Sequence, residues 1–386
     1  GPPGSGKTYQ AANAILELIK RNKKIAITAN SHKVIHNLLE RIEGLAKNKK
    51  HTFKGLKMGN IENEDTFFDG KFVKTEKNEK HFINQLKDDK TLLYAGTKYH
   101  LSQKYYQNKL DYLFVDEASQ ISVADLVALG GIAKNIILVG DQMQLGQPVQ
   151  GSHPGESGKS VLDYLLQGKD TILDSHGVFL KKTYRLHPNL NNFITENFYE
   201  NRLLINEKNI NRKIDYKKSS IIQSEGIHTI LMKHEDRSQT SLEEFETVKK
   251  LMDQLIGSKF RDFDNSERKI SVNDILIVSP FNAQVNFLKS RLHKDTKIGT
   301  IDKFQGMEAP ITIISMTSSS VEDLPRNKKF FFNRNRLNVA ISRAQCSSII
   351  LMNPKLLETP PSDYEEFKLL NYFQKLMKFE KKIAIN

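Results

Sequence analysis

The first eight residues, Gly1-Pro2-Pro3-Gly4-Ser5-Gly6-Lys7-Thr8, fit the spacing G-x-x-x-x-G-K-[ST]. In that spacing Gly4 and Gly6 let backbone N–H groups, with Ser5 between them, close around phosphate oxygens. Lys7 sets a point charge against the anion, and Thr8 offers a hydroxyl to magnesium. The stretch YQAANAIL that follows supplies a helix whose N-terminus faces the negative charge. A nucleoside triphosphate is the ligand this loop predicts, and the loop says nearly nothing about what the nucleotide drives.

Four more stretches complete a set. LFVDEASQ is an apolar run ending in two acids, so a buried strand would deliver Asp116 and Glu117 at its tip. Asp116 suits a magnesium ion, and Glu117 suits the orientation and deprotonation of an attacking water. LVGDQMQL repeats the device with Asp141, and Gln144 can report on the presence of a γ-phosphate. LKKTYRLHP offers Arg185, and RNRLNVAISRAQ offers Arg336 and Arg343. Guanidinium groups aimed at a transferring phosphate are worth about 10³–10⁵ in rate, so a loop in one domain and arginines in another suggest a composite site. In GTIDKFQGMEAP, Gln305 and Gly306 mark a tight polar turn, and Glu308 can accept a hydrogen bond from a ribose hydroxyl.

Only 13 arginines are present, and Arg326, Arg334, Arg336 and Arg343 fall within one window of 18 residues. Two other patterns are decoys. His32 and His36 have the i, i+4 spacing of a zinc pair but lack the Glu and a third ligand, so they read as helix surface. HPGESGKS (153–160) has its glycines misplaced for a second phosphate loop and reads as loop.

These residues need a scaffold that holds strand tips and helix starts together. Short aliphatic runs at 24–30, 91–97, 112–119 and 135–141 alternate with helical patterns such as HKVIHNLLERIEGLAK. The alternation restarts with HTILMKH, DILIVSPFN, TKIGTID, ITIISMT and SSIILMN, between helices near 241–257, 282–292, 334–344 and 362–378. The class is α/β: two tandem units, each a parallel sheet with helices on both faces. We set them at 1–170 and 171–386. Residues 48–90 break the rhythm and read as a small inserted subdomain or a long solvated loop, and 206–222 as a polar connector.

Composition bounds the rest. With 38% apolar and 27% charged residues the chain is globular, and no apolar run approaches the ~20 residues of a membrane span. One cysteine, Cys346, excludes disulfide frameworks and cysteine-built zinc sites, and makes the cytoplasm the expected compartment. A net charge of +13 and a pI near 9.4 suit a polyanionic partner.

Taken in order, these stretches resemble the motifs of a superfamily 1 helicase, of the class that includes the nonsense-mediated-decay RNA helicase and the Okazaki-fragment nuclease-helicase. GPPGSGKT resembles motif I, ITANSHK motif Ia, VDEASQ motif II, GDQMQL motif III, YRLHP motif IV, GTIDKFQGME motif V and RLNVAISRA motif VI. TANSHKVIHNLL and QPVQGSHPGESGKSVLDYLL look like bacterial proteins that fuse a RecB-like nuclease to such a helicase. Motif Ia carries Asn30 and His32 where better-known members have Pro and Asn.

The resemblance implies two RecA-like domains that bind and hydrolyse ATP with Mg²⁺ through Lys7, Thr8, Asp116 and Glu117. Gln144, Arg185 and Arg343 would sense the γ-phosphate and Glu308 would meet the ribose. Ser31, Thr97 and Thr300 would line a track for single-stranded nucleic acid, DNA ahead of RNA. Movement would run 5′ to 3′, with the chain acting as a monomer. The family also has a strand before the phosphate loop, a glutamine-bearing adenine clamp and an accessory barrel, so a fragment of a longer protein is expected. A nuclease domain could stand upstream in that parent, but residues 1–386 show no nuclease constellation and imply no such activity. Two rivals stand beside the motor: a nucleic-acid clamp that hydrolyses ATP without unwinding, and an AAA+ remodelling ATPase.

Overall fold

The computed structural model describes residues 1–146, 151–304, 306–325, 328–379 and 382–384. The chain divides into two compact units. One comprises Gly1, Gly6–Gln142 and Gly146–Leu180; the other comprises Pro2–Ser5, Met143–Leu145 and Lys181–Asn386. The long segments thus meet at 180/181, where the sequence reading set 170/171.

The first unit is built on six strands: β1 (Ile25–Thr28), β2 (Lys54–Met58), β3 (Val73–Glu76), β4 (Thr91–Ala95), β5 (Leu110–Val115) and β6 (Ala133–Leu138). They pair in parallel in the order β3-β2-β4-β1-β5-β6. Helix α1 (Lys7–Lys20) precedes β1; the crossovers that parallel strands need are supplied mainly by helices α2 (His32–Asn48), α3 (Glu79–Leu86), α4 (Lys98–Leu101) and α5 (Val123–Leu129). Because successive strand residues point to opposite faces, each central strand feeds two cores. Ile25, Ile27, Leu93, Ala95 and Phe114 pack with Ile15 and Ile19 of α1 and Leu38 and Ile42 of α2. Ala26, Tyr94, Leu113 and Val115 pack on the other side with Phe82 of α3, Leu101 of α4 and Leu129 of α5. This is why the strands read as continuous apolar runs rather than alternating ones.

The segment 48–90 corrects the expectation. It is neither a loop nor a separate subdomain, because β2 and β3 extend the main sheet and α3 covers it. Leu56, Val73, Phe82 and Leu86 supply its buried positions, each worth about 1.5–3 kcal/mol on burial. The signal is hidden by Lys57, which sits fully buried in mid-strand. Its Nζ donates to the Thr66 carbonyl, and burial pushes its ammonium pKa down to about 8.

A carboxylate ties this segment to α2. Glu43, 4% exposed, accepts backbone N–H bonds from Lys71 (2.7 Å), Phe72 (2.8 Å) and Val73 (2.9 Å). Glu43→Gln turns an amide NH₂ towards one of those donors and removes the charge from all three bonds. Charge-assisted bonds of this type contribute about 1.5–3 kcal/mol each. We expect the variant to lose about 2 kcal/mol in denaturant unfolding; a loss below about 0.5 kcal/mol would show that the clamp contributes little. His32 and His36 lie against the same segment and are half-buried, not a free helix surface. The His36 ring is 5.5 Å from that of Phe68 and 6.3 Å from that of His32. Burial, followed by the charge of Lys57, pushes His36 down to about 4. Among the described residues no group of three metal-ligating side chains forms.

The second unit repeats the plan. Its main sheet runs Lys297–Gly299, Ile275–Val278, Ala309–Ser315, Ala344–Met352, Gly226–Leu231 and Lys382–Ala384, all parallel. Helix Leu242–Leu255 buries Val248, Leu251 and Leu255 against Ile230, Ile277, Ile313 and Ile349. Helices Pro188–Phe198 and Arg334–Ser342 pack on one another and on strand Ala344–Met352. A small antiparallel sheet, in the order Glu267–Lys269, Lys259–Arg261, Lys213–Asp215, adds Phe260 and Ile214 to the core. The expected polar connector at 206–222 therefore contains a strand. Three residues with one inward side chain are too few to show a period.

Candidate nucleotide site and strand-end residues

In an open parallel sheet, ligands gather beyond the carboxyl ends of the strands. Ser31 follows β1, Thr97 follows β4, Asp116 and Glu117 follow β5, and Asp141 follows β6. In the second unit Thr300 directly follows strand Lys297–Gly299. The phosphate loop enters α1 in the first unit.

Gly6 is the N-cap of α1 with φ +78°, and Gly4 has φ +66°, so both need the left-handed backbone that glycine adopts without strain. At Gly4 space is lacking too, since a Cβ there would stand 2.4 Å from Arg185 Cβ. No side chain caps α1 and no acid occupies its first turn. A helix start of this kind favours an anion. Ser5 is buried, with its hydroxyl donating to the Pro2 carbonyl (2.8 Å). Lys7 Nζ donates to the Gly1 carbonyl at 2.6 Å, and Thr8 is half-buried one residue on.

Asp116 is 5% exposed at the tip of β5. Burial, and next the charge of Glu117, push its carboxyl up to about 7, while Lys7 and the amide bond from Glu117 (2.9 Å) pull the other way. Glu117 holds a left-handed backbone (φ 50°, ψ 47°), an uncommon state for a side chain of this size. Its Oε2 is buried without a hydrogen-bond partner. A carboxyl driven towards its neutral form beside an unpartnered carboxylate oxygen is a set that a divalent cation and a polarised water would satisfy. The residues present fit magnesium.

In the second unit, Arg185 sits 12% exposed. Its Nε donates to Glu308 and its Nη1 to the Ser342 carbonyl (3.1 Å). Burial opposes ionisation of Glu308, yet Arg185 beside it and Gln345 Nε2 (2.9 Å) hold its carboxyl below the usual range. Arg343 caps the C-terminal end of helix Arg334–Ser342, 3% exposed, with Nη1 donating to the Met307 carbonyl (3.2 Å). The same helix fixes the Met143–Leu145 stretch: Asn335 Nδ2 donates to the Gln144 carbonyl (2.8 Å) and Asn338 Nδ2 to that of Met143 (2.7 Å). Gln144 is 8% exposed.

The arginine-rich window separates by environment. Arg334 lies over the rings of Tyr372 (4.8 Å) and Phe198 (5.5 Å), a packing position. Arg336 pairs with Asp302 (3.1 Å) over the Phe330 ring. Arg326 and Gln305 fall outside the described residues.

Ser31 caps α2, accepting from Val34 N (3.4 Å), and is exposed. Thr97 opens α4 with no side-chain cap bond. Thr300 starts the turn before Ile301–Phe304, accepting from Lys303 N at its carbonyl (3.1 Å). Sequence reading missed Tyr184, whose ring is 56% exposed beside Arg185 and whose N–H donates to the Gly4 carbonyl (2.8 Å). An aromatic neighbouring a candidate phosphate-sensing arginine was the available signal. The decoy at 153–160 forms turns, and Ser160 opens helix Val161–Leu166.

A family model described as an AAA domain matches residues 158–355, and a second of that description matches residues 1–149. The chain is 25% identical to the DNA replication ATP-dependent helicase/nuclease dna2 of Schizosaccharomyces pombe, over 91% of this chain and 26% of that protein. It is 28% identical to the putative helicase mov-10-B.1 of Danio rerio, over 93% of this chain and 39% of that one. It is 24% identical to the regulator of nonsense transcripts 1 homolog of Arabidopsis thaliana, over 99% and 34%. The chain therefore spans well under half the length of each.

Proposed function

Because the chain belongs to the AAA-domain family and carries the core of a superfamily 1 helicase, we propose that it couples ATP hydrolysis to movement along single-stranded nucleic acid. The observation that carries this reading is the pairing, in the first unit, of an uncapped glycine-led helix start with a strand tip where Asp116 is buried beside Glu117. In this reading the loop amides around Gly4, Ser5 and Gly6 grip the phosphates and Lys7 neutralises them. Thr8 and Asp116 would hold magnesium, which lends positive charge to the phosphate oxygens. Glu117 takes the proton from the attacking water.

Arg185 and Arg343 stabilise the transferring phosphate, Gln144 reports its presence, and Glu308 meets the ribose when it is not engaged with Arg185. Ser31, Thr97 and Thr300 contact the strand. DNA is proposed ahead of RNA, 5′ to 3′ movement ahead of the reverse, and a monomer in the cytoplasm as the working form. No helix among the described residues is long and apolar enough to cross a membrane, and Cys346 is buried as a free thiol.

The test is ATP hydrolysis by the full-length protein with and without single-stranded DNA or RNA, together with displacement of a labelled strand. We expect single strands to raise turnover and Lys7→Ala to remove it, with a strand released only when ATP is present. Turnover without displacement at either polarity would replace the motor with a clamp. Turnover unchanged in Lys7→Ala would overturn the site itself.

A further inference from the structure

The turn Thr183–Leu186 carries Arg185, and its four consecutive carbonyls are held by two side chains from one short segment. Asn209 Nδ2 donates to the Thr183 carbonyl (3.1 Å) and to that of Leu186 (3.0 Å). Arg212 Nη1 donates to the Tyr184 carbonyl (3.0 Å) and to that of Arg185. The two donors meet, with Arg212 Nη1 3.4 Å from Asn209 Oδ1. Both are buried, at 1% and 3% exposed.

Arg212 is itself anchored. Its Nε donates to Asp262 Oδ1 at 2.8 Å, and its guanidinium lies 5.1 Å from the centre of the Phe263 ring. Asp262 begins the loop joining strands Lys259–Arg261 and Glu267–Lys269, so the small antiparallel sheet braces the turn.

Burying an arginine and an asparagine is costly unless every polar group is matched. Here the return is a backbone fixed on both sides of Arg185 within an irregular turn. Rotamer choice depends on the backbone beneath it, so fixing these carbonyls fixes the direction in which the Arg185 side chain leaves the chain.

We propose that Arg212 and Asn209 are positioning residues for Arg185, with Asp262 setting Arg212 in turn. This rests on the reading that Arg185 acts on the γ-phosphate. A displacement near 1 Å of a group that acts on the transition state lowers rate by about 10²-fold. Lysine keeps the charge of Arg212 but lacks the planar fork that reaches two carbonyls and a carboxylate together.

The experiment is a double-mutant cycle in the full-length protein, read as kcat and KM for ATP with single-stranded DNA present. Arg212→Lys is expected to lower kcat by about 10- to 100-fold, with KM for ATP changed by less than about twofold. Asp262→Asn, a partly exposed site that leaves the core filled, should lower kcat in the same direction by about 3- to 10-fold. In an Arg185→Ala background, either change should add less than about twofold, because residues acting as a unit are non-additive. Should either variant lose the same factor in both backgrounds, the effect does not run through Arg185 and the proposal falls. It falls also if Asp262→Asn keeps the parent kcat. If Arg185→Ala alone leaves hydrolysis unchanged, the role given to Arg185 has failed, and positioning fails with it.

Discussion

Glu117→Gln should leave ATP bound and cut its hydrolysis by about 10²–10⁴-fold, the range for removing a positioned general base. At about 1.4 kcal/mol per decade this is roughly 3–6 kcal/mol of lost transition-state stabilisation. The substitution keeps size and hydrogen-bonding capacity, so the left-handed backbone at Glu117 and the amide bond to Asp116 are retained. What disappears is the basic oxygen that is buried without a partner. Removing one of two adjacent negative charges also favours an ionised Asp116, whose carboxyl is raised by burial and then by Glu117. Binding of ATP should therefore hold or tighten while turnover collapses. Nucleotide titration alongside steady-state hydrolysis checks both halves. Turnover within about threefold of the parent protein would remove Glu117 from the chemistry.

The parts of this site that were legible in the sequence are those written in consecutive residues. The phosphate loop, the acids after Val115 and the strands that deliver them are local patterns, and the chain folds them locally. Fold class was legible for the same reason: β1, β4 and β5 are buried on both faces, so they read as unbroken apolar runs.

What escaped depends on partners distant in sequence. The strands of 48–90 were hidden because Lys57 occupies a buried position and because the segment is held by Glu43, a residue outside it. Arg212 looked like one more polar residue in a connector, since its partners at Tyr184, Arg185 and Asp262 lie 28, 27 and 50 residues away. The window 326–343 shows the converse error. Its arginines look equivalent as letters, yet Arg334 lies over the rings of Tyr372 and Phe198, Arg336 is paired with Asp302, and Arg343 is buried. Burial and partner, not composition, separate a packing arginine from one available for chemistry.

That distinction makes Arg343→Ala the more demanding substitution. An arginine that stabilises a transferring phosphate contributes about 10³–10⁵ in kcat, or roughly 4–7 kcal/mol. Arg343→Ala should lose that factor, and Arg343→Lys should recover less than about a tenth of the parent rate, because an ammonium cannot reproduce the planar fork. Arg343 is 3% exposed and donates to the Met307 carbonyl, so alanine also leaves an acceptor unpaired and a cavity behind. Those losses cost about 1–3 kcal/mol of stability. They act on the folded fraction, whereas loss of a phosphate contact acts on each folded molecule. Thermal unfolding and kcat per folded molecule, measured on the same preparations, separate the two. A variant that unfolds some degrees lower yet turns over within tenfold of the parent would make Arg343 a packing residue like Arg334. A well-folded variant that binds ATP and fails to hydrolyse it would place the guanidinium on the reacting phosphate.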